Sequence, residues 1–184
     1  HDYWSIPAGH DDACNGVWES GPGVQFFKAV REHFPTLPFL AEDLGLLNEG
    51  VHALRKATNL PGMAVLQFAF DGDPANLYLP HNLSKDLVLY TGTHDNDTSC
   101  GWYESSDEEV RGNFRSYFSV SGEDAPWDLL RAAYRTVSSL VVIPMQDVLS
   151  LGSEARLNRP GHAFGNWSWR MTGEQLTSLT GETA

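Results

Sequence analysis

Short apolar segments that lead directly into polar residues constrain the fold of this chain most. Residues 64–70 are apolar on both faces except for Gln67, and residues 88–97 begin as an apolar run and end in a His-Asp-Asn-Asp cluster. Residues 38–41 and 140–145 show the same change from apolar to polar. Apolar runs of this length are typical of strands that are buried on both faces, as in parallel sheets. The sequence therefore predicts four such strands.

Helix signals separate the predicted strands. Residues 24–34 carry aromatic and aliphatic side chains at helical spacing, and Asn48 is a typical cap for a second helix. Ser106 and Glu109 match a capping box, and a further helix is expected to start at Pro126. Strands that alternate with helices predict right-handed βαβ units, which build an α/β protein with a parallel sheet.

The number of predicted strands suggests half of a larger fold. A (β/α)₈ barrel takes eight strands and about 250 residues, so about four parallel strands would form half of it. An open doubly wound sheet also fits four strands, but no Gly-rich phosphate loop follows any of them. We expect the 184 residues to form a single domain, with residues 1–23 as a lead-in loop and residues 155–184 as a loop followed by a short helix.

Charge and cysteine content exclude several classes of partner. The 24 acidic and 12 basic residues give a formal net charge of -12, which argues against binding to nucleic acid or to an anionic membrane. Cys14 and Cys100 lack the paired spacing of a zinc site and are expected to be reduced thiols of a cytoplasmic protein. The sequence predicts neither a signal peptide nor a membrane-spanning helix.

Two carboxylates follow predicted strands and are candidate catalytic groups. Glu42 and Asp95 each stand just past the carboxyl end of a strand, where parallel α/β folds place their active sites. Glycosidic bond chemistry needs one acid that protonates the leaving oxygen and one carboxylate that faces the developing positive charge. The competing interpretation is that both residues are helix caps or salt-bridged surface acids.

The polar cluster after the third strand also permits a metal site. His94, Asp95 and Asp97 could together support a metal-dependent hydrolase, although consecutive residues rarely converge on one ion. We expect no metal and no cofactor. Five tryptophans fall in predicted loops, where their flat rings could stack on sugar rings or pack over the ends of the sheet: Trp4, Trp18, Trp102, Trp167 and Trp169.

Several short sequence blocks follow one another over nearly the whole chain. They are Ala41-Glu-Asp-Leu-Gly45, Pro61-Gly-Met63, Val65-Leu-Gln-Phe-Ala-Phe70, Leu79-Pro-His-Asn82, Tyr90-Thr-Gly-Thr-His-Asp-Asn-Asp-Thr98, Gly101-Trp102, Gln146-Asp147, Ala155-Arg156 with Asn158, and Gly165-Asn-Trp167. In residue types and in order, these blocks resemble those of the 4-α-glucanotransferases, also called amylomaltases or disproportionating enzymes.

The resemblance implies a (β/α)₈ barrel that cleaves an α-1,4-glucan and transfers the glucosyl part to the 4-hydroxyl of another sugar, with retention. It makes Glu42 the general acid/base and Asp95 the carboxylate that stabilises the transition state. α-1,4-Glucans and maltooligosaccharides are the expected ligands. The residues expected to bind them are His94, Asp43, Gln67, Asp97, Trp102, Asn158 and Asn166.

The nucleophile of that family has no counterpart in these residues. In the family it is an Asp within an Arg-x-Asp-His-Phe-Arg-type motif that lies just before the block matching the start of this chain, and His1-Asp2 does not match it. The sequence therefore resembles the C-terminal half of the catalytic barrel, and the missing N-terminal half is an expected partner. The isolated chain is expected to be inactive, and a non-catalytic maltooligosaccharide-binding module remains an alternative.

Overall fold

The computed structural model describes residues 1–45 and 47–180, and it divides the chain into two compact units. The first unit comprises His1–Met63 and the second comprises Ala64–Ala184. Among the described residues, no helix is long and apolar enough to cross a lipid bilayer.

The first unit begins with a two-stranded antiparallel hairpin. Strands β1 (Asp2–Ser5) and β2 (Val17–Ser20) pair so that Trp4 lies opposite Trp18, with their rings 5.3 Å apart in an edge-to-face arrangement. The predicted loop over residues 1–23 is therefore wrong for these two segments. Each strand has only four residues, which is too short to show the alternation of apolar and polar residues by which strands are recognised. The pairing depends instead on aromatic contacts across the hairpin.

Two helices complete the first unit. Helix α1 (Val24–His33) and helix α2 (Glu49–Thr58) both confirm the sequence prediction. The side chain of Asn48 caps α2 by accepting a hydrogen bond of 3.0 Å from the Val51 N–H group, which satisfies one of the unpaired donors of the first turn. Asn59 ends α2 in the left-handed conformation, with φ of 55°.

The predicted strand over residues 38–41 does not form. These residues have no strand assignment, and the side chains of Phe39 and Leu40 are 39% and 52% exposed. Pro35 and Pro38 lack the N–H groups that a sheet ladder needs, which disfavours pairing in this segment. The prediction of about four parallel strands is not confirmed, because the larger of the two sheets in the described residues has three strands.

The three-stranded sheet has the order β3 (Gly62–Val65), β4 (Leu87–Tyr90) and β5 (Leu140–Val142). β4 and β5 are parallel, and Val88 lies opposite Leu140. β3 is shorter than the predicted strand over residues 64–70, because a 3₁₀ helix (Leu66–Phe68) follows it directly. The sequence pattern marks both segments as buried and apolar, so it does not separate them.

The helices of the second unit are α3 (Ser99–Ser105), α4 (Glu108–Phe118), α5 (Ala125–Ala133), α6 (Met145–Val148) and α7 (Gly173–Thr180). Two further 3₁₀ turns are Pro80–Asn82 and Ser153–Ala155. The cap of α4 is Asp107, whose side chain accepts from the Val110 N–H group, and not the predicted Ser106.

The C-terminal helix α7 confirms its predicted capping box. The Thr172 N–H group donates to Gln175 Oε1 at 2.9 Å, and the Gln175 N–H group donates to Thr172 Oγ1 at 3.2 Å. These reciprocal bonds satisfy two backbone donors at the start of the helix. Residues 181–184 of the predicted C-terminal segment lie outside the described residues.

The core of the second unit is an aromatic and aliphatic cluster between the sheet and α3, α4 and α5. Leu89, Phe114 and Leu129 are completely buried, and the rings of Phe70 and Phe114 meet edge to face at 5.2 Å. Burial of a side chain of this size contributes about 1.5 to 3 kcal/mol. This core fixes the end of β4, from which the candidate site begins.

Candidate functional site

The loop after β4 carries His94 and Asp95 at the tip of a tight turn. The N–H group and the hydroxyl of Thr93 both donate to Asn96 Oδ1, at 2.8 and 2.7 Å. The Asn96 N–H group donates back to the Thr93 carbonyl at 3.2 Å. This local side-chain bonding closes the turn, and the side chains of His94 and Asp95 remain 50% and 47% exposed.

The Asp95 carboxylate is held through one of its two oxygens. Oδ1 accepts a hydrogen bond of 2.5 Å from Asn158 Nδ2 and lies 3.3 Å from His94 Nε2. Oδ2 accepts no hydrogen bond from the described residues of the second unit. Because hydrogen bonds to an ionised carboxylate are short and directional, Asn158 fixes the orientation of the group and leaves Oδ2 available to a ligand.

The imidazole of His94 packs against Trp167. The two ring centroids are 5.2 Å apart and their planes meet at 36°. Trp167 is 53% exposed and has a φ of 61°, a left-handed conformation that is costly for a residue with a bulky side chain. Its N–H group donates to the Leu157 carbonyl at 2.7 Å, which holds this backbone conformation. The pair presents an aromatic surface beside Asp95.

Asp97 and Gln67, two of the predicted ligand-binding residues, fix the end of the same loop. The Asp97 carboxylate accepts from the Ser153 hydroxyl at 2.7 Å and from the Thr98 N–H group at 2.8 Å. The buried side chain of Gln67 donates to the Asp97 carbonyl at 3.0 Å. Both side chains are therefore engaged in bonds within the protein.

Asp147 is a buried carboxylate that joins both ends of the loop. It is 1% exposed and accepts from the Thr91 hydroxyl at 2.5 Å, and from the Ser99 N–H group and hydroxyl at 2.7 Å each. Thr91 directly follows β4, and Ser99 is the first residue of α3. A buried charge needs such a complete set of donors, and here the set fixes the two ends of the loop that carries Asp95.

Glu42 and Asp43 lie in the first unit and have different surroundings. The side chain of Glu42 is exposed and makes no hydrogen bond or ion pair with the described residues of its own unit. Asp43 is largely buried: Oδ1 accepts from the Met63 N–H group at 2.7 Å, and Oδ2 lies 3.2 Å from Arg55 Nε. Asp43 thus fixes the backbone next to Glu42.

The last two predicted ligand-binding residues also contact protein groups. Trp102 lies in α3, not in the predicted loop, and its partly buried ring packs against Phe70 and Phe114 of the core. Asn166 accepts from the Arg159 N–H group at 2.9 Å and donates to the His162 carbonyl at 2.8 Å. Asn166 thereby closes the loop that precedes Trp167.

The arrangement gives no support to the metal-dependent alternative. In the part of the chain that the structure describes, no three His, Cys, Asp or Glu side chains are placed to share an ion. The Asp97 carboxylate, one of the proposed ligands, is already bonded to Ser153 and Thr98.

Sequence reasoning missed Arg156 and Asp147 as parts of the site, and it named Trp167 only as one of several loop tryptophans. Arg156 and Trp167 stand in blocks that carry the family resemblance, and Asp147 follows a strand, as Asp95 does. The rule that selected Asp95 would have selected Asp147 as well. Its burial, which distinguishes a positioning carboxylate from an accessible one, follows from tertiary packing.

Comparisons with known proteins agree with the sequence motifs. A family model described as 4-alpha-glucanotransferase matches residues 1–177. The 4-alpha-glucanotransferase of Thermus thermophilus is 45% identical over 183 residues, which cover 95% of this chain and 37% of that protein. The chloroplastic/amyloplastic 4-alpha-glucanotransferase of Solanum tuberosum is 45% identical over 170 residues, which cover 92% of this chain and 30% of that protein.

A solved structure extends the match to the fold. The amylomaltase from Streptococcus agalactiae, in complex with acarbose, superposes with a TM-score of 0.90 at 35% identity and covers 97% of this chain and 36% of that one. The chain thus spans about a third of the length of these relatives. With a family model matched over nearly all of its residues, this chain belongs to the 4-alpha-glucanotransferase family.

Proposed function

We propose that this chain supplies part of the active site of an enzyme that transfers α-1,4-glucan segments to the 4-hydroxyl of an acceptor sugar, with retention. The observation that carries the proposal is the Asp95 carboxylate, which is oriented by Asn158 through Oδ1 and is half exposed at the end of β4. The names of the relatives support the reaction, and α-1,4-glucans and maltooligosaccharides are the proposed ligands.

Glu42 and Asp95 have separate roles in this proposal. Glu42 donates a proton to the glycosidic oxygen as the bond to the leaving sugar breaks and the donor glucosyl group bonds to the nucleophile, which we assign to the N-terminal half of the barrel. Glu42 then removes the proton from the 4-hydroxyl of the acceptor as that oxygen displaces the nucleophile. The Asp95 carboxylate stabilises the positive charge that develops on the donor sugar, through Oδ2, the oxygen that does not bond to Asn158. His94, beside Asp95, donates a hydrogen bond to a sugar hydroxyl.

The other predicted ligand-binding residues are proposed to act from the positions described above. Asp43 holds the backbone next to Glu42, whereas Gln67 and Asp97 hold the loop that carries Asp95. Each of these side chains would therefore contact a sugar only through polar atoms that are not already hydrogen-bonded within the protein. Asn166 would contribute its amide at the edge of the site. Trp102 would present to an acceptor sugar the part of its ring that the core leaves exposed.

We further propose that the sheet of this chain is part of a (β/α)₈ barrel whose N-terminal half carries the nucleophile. Leu140 and Val142 of the edge strand β5 are 47% and 38% exposed, and an exposed apolar edge strand is a template for further pairing. Sedimentation of the isolated chain should therefore show self-association. A folded monomer at micromolar concentration would contradict the proposal that β5 is an unpaired edge of a larger sheet.

The isolated 184-residue chain is expected not to disproportionate maltotriose. Retention requires a carboxylate nucleophile, and the family's nucleophile motif does not occur in these residues. The measurement is chromatography of glucose and longer maltodextrins after prolonged incubation, with the Glu42→Gln chain as the blank. Products above that blank would refute the assignment of the nucleophile to another segment.

A chimera tests the positive side of the proposal. In it, residues 1–184 replace the matching segment of the Thermus thermophilus 4-alpha-glucanotransferase. The chimera is expected to convert maltotriose, and Glu42→Gln or Asp95→Asn should each lower kcat by at least about 1000-fold, as loss of an essential acid or of a charge-stabilising group does. An Asp86→Asn control, an exposed acid before β4, should retain activity. A folded but inactive chimera would overturn the proposed function.

A glucan-binding module without catalysis is the second candidate, favoured by the exposed ring of Trp167 beside His94. Calorimetry of the isolated chain with maltoheptaose tests this candidate: binding without turnover supports the module, and the absence of both binding and turnover contradicts it. Both cysteines of the chain are free thiols. We therefore propose that the protein is located in a reducing compartment such as the cytoplasm. Cell fractionation that recovers the protein in an oxidising compartment would contradict this.

A further inference from the structure

Arg156 lies in the second unit and contacts the candidate site through its guanidinium group. Nη2 donates to the backbone carbonyl of Asp95 at 2.6 Å, and Nε donates to the carbonyl of Asn158 at 2.9 Å. Nη1 lies 3.9 Å from Asp97 Oδ2. The side chain is 23% exposed, so these contacts form in a partly desolvated position where charged hydrogen bonds are strong.

The two carbonyls that Arg156 binds belong to residues that are also bonded to each other. Asn158 Nδ2 donates to Asp95 Oδ1, and the Asn158 N–H group donates to the carbonyl of His94 at 3.1 Å. Arg156, Asn158 and Asp95 therefore form a closed ring of hydrogen bonds. In this ring the position of the Asn158 amide, and with it the direction of the Asp95 carboxylate, depends on the guanidinium.

We propose that Arg156 is a positioning residue that fixes the Asp95 carboxylate for catalysis, a role that rests on the proposed function. It acts by joining two loops whose residues are 61 positions apart in the sequence. A planar guanidinium donates in two fixed directions at once, whereas a lysine ammonium on a flexible stem cannot hold both carbonyls in the same geometry.

The first test measures the ring of hydrogen bonds directly in the 184-residue chain. Arg156→Gln is expected to raise the amide exchange rate of Asn158 at least about tenfold, because its acceptor on His94 is no longer held in place. Arg159→Gln is the matched control, since its side chain lies three residues further along the same loop and is exposed. Equal exchange in the two variants would overturn the positioning role.

The second test measures catalysis in the chimera defined above. Arg156→Gln is expected to lower kcat for maltotriose by about 10- to 100-fold, the usual effect of a displacement of about 1 Å, with KM changed less than about threefold. The Arg156→Lys variant should have the thermal midpoint of the wild-type chimera but the lowered kcat of the Arg156→Gln variant. If Arg156→Lys restores kcat as well, or if Arg156→Gln behaves as Arg159→Gln does, the positioning role is wrong.

A double-mutant cycle separates positioning from a general loss of structure. If Arg156 acts through Asp95, Arg156→Gln should lower kcat by less than about threefold in a chimera that already carries Asp95→Asn. A full additional loss in that background would show a merely structural role and overturn the proposal. An inactive wild-type chimera would instead refute the proposed function, and the amide exchange of Asn158 would still decide whether Arg156 holds the loop.

Discussion

Replacement of the buried Asp147 by Ala is the most informative test of how the Asp95 loop is held. The change removes the acceptor of three hydrogen bonds, from the Thr91 hydroxyl and from the hydroxyl and N–H group of Ser99, and both of those residues are fully buried. Each buried donor left unpaired costs about 1 to 3 kcal/mol. The three are coupled and a buried charge is also removed, so we expect a total loss of about 3 to 5 kcal/mol.

The more conservative Asp147→Asn change should have a smaller effect. Its carbonyl oxygen can still accept from the Ser99 N–H group, and its amide can donate to hydroxyls that rotate to accept. The expected cost is about 1 to 2 kcal/mol. The ratio of the two effects therefore reports whether hydrogen bonding, and not the volume of the side chain, provides the stabilisation.

Amide exchange of β4 is the appropriate assay, because the chain divides into two compact units and exchange reports the stability around β4 without the assumption of a single unfolding transition. A loss of 3 to 5 kcal/mol should accelerate exchange of the Leu89 amide by about 150- to 5000-fold. The control is Asp86→Ala, an exposed acid just before β4, which should change stability by less than about 0.5 kcal/mol. A loss below about 1 kcal/mol for Asp147→Ala would refute the role assigned to this carboxylate.

Two further predictions concern the helices α3 and α4. Burial, together with the Glu104 carboxylate, raises the pKa of the Cys100 thiol. At pH 8, iodoacetamide should therefore alkylate Cys100 more slowly than the exposed Cys14, as followed by mass spectrometry. The Glu104→Gln change should reduce this difference between the two alkylation rates, and equal rates in the unmodified chain would contradict the prediction. Ser119 ends α4 with φ of 56°, so Ser119→Gly should stabilise the chain by about 0.5 to 1 kcal/mol and raise the thermal midpoint, whereas a lowered midpoint would contradict this.

Helices with local signals could be predicted from the sequence, and elements that depend on distant contacts could not. Asn48 and the Thr172–Gln175 pair cap their helices as their chemistry dictates, since a cap involves residues only three positions apart. Helix α3 was missed because its seven residues show no apolar periodicity. Its start is fixed by Thr98 and by Asp147, and the latter is 48 positions away.

Strand prediction failed where an apolar run has no partner strand. Residues 38–41 have the same apolar character as β4, but Pro38 removes a ladder donor, and none of the strands among the described residues pairs with this segment. Residues 64–70 are buried throughout most of their length, yet only the part up to Val65 is a strand. Burial is readable from composition, whereas the change from strand to 3₁₀ helix at Leu66 depends on how the chain turns towards Thr91.

The candidate site shows the same division between local and distant information. The position of Asp95 after β4 was predictable, because the end of a parallel strand is where such sites lie. Its orientation was not, since it depends on Asn158, 63 residues further along the chain. A polar residue at the rim of a sheet can bind a ligand or hold its neighbour, and the choice depends on which partners the fold brings within hydrogen-bond distance. For Gln67 and Asp97 those partners are protein groups, so their substitution should affect the rigidity of the Asp95 loop before it affects direct contact with sugar.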